Sequence, residues 1–95
     1  PMNLNSPRAK KAITAIIRSM EIAFTSNTDG VTFEFITQAF NSYGYAPNMA
    51  RRMALALIKA NTDIEHWSRW TKKLVNINDK LYMFYSVSPR PYNTL

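Results

Sequence analysis

The segment VTFEFITQAFNSYGYAPNMARRMALALIKAN, residues 31–61, decides how this chain folds. Thr32 is a preferred N-cap residue, because its hydroxyl accepts a hydrogen bond from an amide that the first helical turn leaves unpaired. Phe33, Ile36 and Phe40 follow at helical spacing and define one face that can be buried. The pattern stops at Asn41-Ser42-Tyr43-Gly44-Tyr45, where Gly44 supplies the positive φ that a helix end commonly needs. Pro47 suits the first turn of a second helix, since an amide hydrogen there would have no partner, and no breaker lies between Asn48 and Ala60. Two helices joined by a short turn are predicted.

The second helix is informative when its faces are separated. At about 100° per residue, Ala50, Met53, Ala54, Leu57 and Asn61 fall on one side, whereas Asn48, Arg51, Arg52, Leu55 and Lys59 spread over the other. The outer face is basic and carries no acid. Arg and Asn are also the side chains that pair bidentately with guanine and adenine edges. A solvated face with three cations belongs to many surface helices, so this helix alone leaves its partner open.

Ser6-Pro7 is a plausible N-cap and N1 pair for an earlier helix running to about Phe24. Its apolar stripe is Ile13, Ile16, Ile17, Met20, Ala23 and Phe24, with Arg8, Lys11 and Arg18 toward water. A turn-forming cluster occupies residues 25–30, and Gly30-Val31-Thr32 is expected to be a short extended segment. Beyond the helix pair, Thr62-Asp63-Ile64-Glu65 matches the capping-box pattern, so a short helical piece is expected through about Trp70. Ile64 and Trp67 would face inward, and Trp70 would lie in the core or on the surface beside Arg69 and Lys72. His66 has no Cys, Asp or Glu partner at metal-ligand spacing, which makes it a structural or solvated histidine.

Two β-prone runs flank Asn78-Asp79-Lys80, and an antiparallel hairpin over residues 74–87 is predicted although the favoured turn glycine is missing. Val75 and Ile77 alternate on one strand, and Leu81, Met83, Tyr85 and Val87 on the other, giving an apolar face to pack on the helices. Residues 1–7 are expected to form an N-terminal arm and residues 88–95 an extended tail. Pro1 before Met2 looks like a remnant of a tag.

With 95 residues the chain is expected to form one domain, able to bury a single core. No cysteine is present, which excludes disulfides and thiolate metal sites and fits a reducing, cytoplasmic setting in a bacterial or virus-infected cell. Apolar runs are too short for a membrane span. The net charge of +6 is segregated: Arg8, Lys10, Lys11 and Arg18 precede any acid, then Glu21, Asp29 and Glu34 precede Arg51. Segregated positive charge attracts phosphate more than mixed charge does. No nucleophile, base and orienter can be assembled from one histidine, six carboxylates and two glycines, so catalysis is not expected, and neither is a cofactor or metal.

In the order of its elements the chain resembles a winged helix-turn-helix domain over about residues 8–87. The resemblance implies an α+β fold of three to four helices plus a C-terminal β-hairpin wing. It also implies double-stranded DNA as partner, with Asn48, Arg51, Arg52, Leu55 and Lys59 in the major groove and Asn78 and Lys80 at the wing tip. Arg8, Lys10, Lys11, Lys72 and Lys73 would add phosphate contacts. Two features depart from the family: the long link over residues 62–72, and Asp79 at a tip that should meet phosphate. The alternative is a protein-interaction module of the same fold, an inhibitor or adaptor, using Leu55, Trp70 and Tyr92. A monomer and a homodimer are both compatible with the sequence.

Overall fold

The computed structural model describes residues 3–62 and 69–87. Its elements are α1 (Pro7–Thr25), β1 (Val31–Thr32), α2 (Phe33–Ser42), α3 (Pro47–Thr62), β2 (Trp70–Ile77) and β3 (Lys80–Val87). The fold is α+β, with three helices and one antiparallel sheet in the order β1-β3-β2.

Local chemistry sets the helix ends. Ser6 caps α1, its hydroxyl accepting from the Ala9 amide at 3.1 Å, and Thr32 caps α2 by accepting from Phe35 at 3.2 Å. Both helices close in the same way. At the end of α2, Gly44 (φ 101°) donates to the Asn41 carbonyl and Tyr45 donates to Phe40, while the Tyr45 ring meets Phe40 edge-on at 5.8 Å. That is a Schellman motif with its apolar contact. At the end of α1, Asn27 (φ 58°) takes the glycine position and Thr28 donates to Ala23 at 2.8 Å. Asn tolerates this conformation better than most residues.

The core lies where the three helices meet the base of the sheet. Ala9, Ala12, Ile16 and Met20 of α1, Ile36 and Phe40 of α2, and Ala50, Met53, Ala54, Leu57 and Ile58 of α3 pack with Val31 and Trp70. The expected α3 split holds: Met53 and Leu57 are buried, Arg51 and Arg52 are exposed, and the helix is unbroken. Phe24 is a correction. It is exposed, and the small Ala9 and Ala12 take the inner positions of α1 that let a neighbour approach closely.

The hairpin turns at Asn78 and Asp79, as expected, but β2 begins at Trp70. Trp70, expected at the end of a helical piece, instead opens this strand; it is 3% exposed and its ring centre lies 6.3 Å from that of Tyr85. Thr62, the expected first residue of the capping box, lies in the last turn of α3 with its hydroxyl donating to the Ile58 carbonyl at 2.7 Å, while the rest of the box, with Ile64, His66 and Trp67, falls outside the described residues, as does the tail with Tyr92. The single apolar hairpin face is corrected too. Register pairs Leu74 with Met83 and Val75 with Tyr82, so Val75 and Ile77 lie on the opposite face from Leu81, Met83, Tyr85 and Val87. Leu74, Ile77, Leu81 and Tyr82 stay exposed because the distal half of the hairpin extends past the helices.

Candidate nucleic-acid interface

Asn48, Arg51, Arg52, Leu55 and Lys59 are all exposed on α3, at spacings of three or four residues that make one stripe. The stripe is held outward by the burial of Ala50, Met53, Ala54 and Leu57 behind it. From Asn48 to Lys59 it spans about 16 Å at 1.5 Å per residue. No acid interrupts it. Ion pairing among the described residues is confined to Lys73 and Asp29, so no described acid neutralises the α3 cations.

The cations of α1 divide. Arg8 is held by the turn between α2 and α3: its guanidinium lies 5.1 Å from the centre of the Tyr45 ring and donates to the Gly44 carbonyl at 3.4 Å. It still contributes charge beside the start of α3, though its donors are partly engaged. Lys10 and Lys11 instead line a shallow hollow with Thr14, Arg18 and Tyr43. Arg18 and Tyr43 had no place among the sequence-derived candidates. Arg18 was legible in part, because Lys11, Thr14 and Arg18 share a helical face, but Tyr43 comes from another element.

The hairpin cations do not act together. Lys72 pairs in register with Tyr85 and Lys73 with Phe84, so the two lysines leave opposite faces of the sheet. Lys73 is further committed to Asp29 at 2.9 Å across the exposed loop before β1. Asn78 and Lys80 sit at the exposed tip with Asp79 between them, and the Asp79 amide donates to Asn76 Oδ1 at 3.0 Å. This bond helps to hold the turn but leaves the Asp79 carboxylate outward.

Titration adds one feature: burial beside the core pushes the Tyr85 phenol above its ordinary value. No helix among the described residues is long and apolar enough to cross a membrane. In comparisons with known proteins, the chain matches no family model, no curated protein and no solved structure.

Proposed function

We propose that this domain is a small winged helix-turn-helix protein that binds double-stranded DNA, of the kind used as a transcriptional regulator or accessory factor. The observation that carries the reading is the α3 stripe: Asn48, Arg51, Arg52 and Lys59 exposed together, free of acid, on an unbroken helix whose other face is core. The element order supports it, since a helix, a short strand, two helices across a tight turn and a two-stranded hairpin follow one another as in that family. In this reading α3 lies in the major groove, Asn78 and Lys80 meet the backbone, and Arg8, Lys10, Lys11 and Lys72 supply flanking charge.

The test is duplex affinity measured over a series of salt concentrations for the parent and for Arg51→Ala/Arg52→Ala. Loss of two phosphate contacts lowers the slope of log affinity against log salt by about 2, and loss of a base contact removes about 1–3 kcal/mol of sequence preference. Thermal stability stays within about 0.5 kcal/mol, since both side chains are in water. A double variant that binds like its parent, with the same salt slope, sinks the reading. A protein-interaction module is favoured by one observation, the 59% exposure of Leu55 in the middle of the stripe. A parent that ignores duplex DNA near physiological salt moves the assignment there.

A further inference from the structure

The hollow lined by Lys10, Lys11, Thr14 and Arg18 ends at Tyr43. There it meets a second hollow of about 330 Å³ along the α1–α2 seam, which Tyr43 and Phe35 border and Ala15 and Ala39 floor. Sharing Tyr43, the two hollows adjoin as a groove with cations at one end and Phe35 toward the other. Phe35 is 42% and Tyr43 39% exposed, unusual openness for rings on a helix whose other face is core. Lys10, Lys11 and Arg18 have no ion-pair partner among the described residues.

We propose that this groove is a second binding surface, and that its ligand is a short stretch of single-stranded nucleic acid. Grooves for unpaired strands join a cationic track for the backbone with aromatic faces on which bases stack, and both are present here. Spacing agrees. Lys11 and Arg18 lie seven residues apart on α1, about 10 Å along its axis, and Phe35 in the first turn of α2 and Tyr43 at its C-cap are about 12 Å apart along that axis. Each distance leaves room for a short run of nucleotides beside the rings. The alanine floor leaves room for a base, and the Gln38 amide offers a donor and an acceptor to base edges, while Ser42, whose hydroxyl donates to the Ala39 carbonyl at 2.9 Å, can only accept. A duplex is a poor fit because its bases present no free faces to Phe35 and Tyr43. Glu34 beside Phe35 and Glu21 beyond Arg18 repel phosphate, which keeps the backbone toward Lys10, Lys11 and Arg18 while the bases turn toward the rings.

The inference does not rest on the role assigned to α3. Lys10 and Lys11 would also add charge beside a bound duplex, but Arg18, Phe35 and Tyr43 belong to the groove alone, so changes there test it separately. The experiment is fluorescence anisotropy of a labelled twelve-nucleotide oligo(dT) with the full chain over a salt series. Lys11→Ala/Arg18→Ala lowers the salt slope by about 1.4, at about 0.7 per charge for a single strand. Tyr43→Leu and Phe35→Leu, which keep an apolar side chain and so the fold, each weaken binding about tenfold or more with the slope unchanged. Tyr43→Phe, which keeps the ring, binds like the parent, and Arg51→Ala/Arg52→Ala leaves oligo(dT) affinity intact. Three outcomes overturn the proposal: no binding at low salt, leucine variants that bind like the parent, or loss of binding on changing α3 alone. If a peptide of alternating Glu and Leu binds the groove where oligo(dT) does not, the surface belongs to a protein partner and the proposal falls.

Discussion

Gly30 and Gly44 both hold positive φ, +119° and +101°, yet their surroundings differ enough to predict different costs for the same change. A Cβ at Gly30 would lie 2.2 Å from the Tyr85 carbonyl oxygen, a backbone atom of β3 that cannot move without opening the β1–β3 pair. At Gly44 the nearest atom is 3.6 Å away, on the Arg8 side chain. Gly44→Ala should therefore cost about 1 kcal/mol from backbone strain alone, whereas Gly30→Ala should cost about 2–3 kcal/mol or more. Urea unfolding of the two variants checks this, and equal losses would refute the close approach. Tyr85 makes a second prediction. Its folded pKa is raised by desolvation, so the stability it contributes is fully present below the unfolded value of 10.0 and is lost as pH rises through the folded value. Tyr85→Phe should flatten that part of the alkaline fall, read from melting temperatures on either side of the phenol range.

At the scale of elements the hairpin is the least protected piece and the easiest to improve. Asn78 and Asp79 both sit in the left-handed region, at φ 53° and 66°, the combination that a two-residue primed turn demands. Aspartate tolerates that region less well than glycine, so Asp79→Gly should stabilise the domain by about 0.5–1 kcal/mol in denaturant titrations. The same change removes the tip carboxylate. On the DNA reading it should also tighten duplex binding, and weaker binding would mean the tip does not face phosphate. The absence of glycine in Asn78-Asp79-Lys80 did not hide the hairpin in the sequence, because branched and aromatic residues on both sides signal strands by themselves. Its faces were harder to read, since alternation marks parity within a strand while the pairing register decides which parities share a face.

For the molecule as a whole, the core sits to one side: Phe40 is fully buried between the helices, and Leu81 at the far end of β3 is 65% exposed. Phe40→Ala should cost about 3–5 kcal/mol and Leu81→Ala about 0.5 kcal/mol or less. Similar losses at both sites in denaturant titrations would mean that the distal hairpin is covered in solution. Charge is distributed with the same asymmetry. The acid-free first turns of α1 and the acid-free outer stripe of α3 carry the positive field, while Asp29 neutralises Lys73 on the sheet. Lys73→Ala should accordingly change stability by no more than about 1 kcal/mol, as exposed pairs do.

What the sequence determined by itself was local. Ser6, Thr32 and Gly44 set helix ends through hydrogen bonds that reach only a few residues, and the 3.6-residue period placed Arg51 and Arg52 outside and Met53 and Leu57 inside. Such features need no knowledge of the rest of the chain. Only the tertiary structure decided that β1 pairs with β3, that Trp70 opens a strand, and that Phe24 stays in water while Ala9 and Ala12 go inside. It also tied Arg8 to Gly44 and Lys73 to Asp29, partners 36 and 44 residues apart, and brought Tyr43 beside Lys10, Lys11 and Arg18. Contacts at those separations depend on how amphipathic faces settle against one another, a collective outcome that no local pattern of residues encodes.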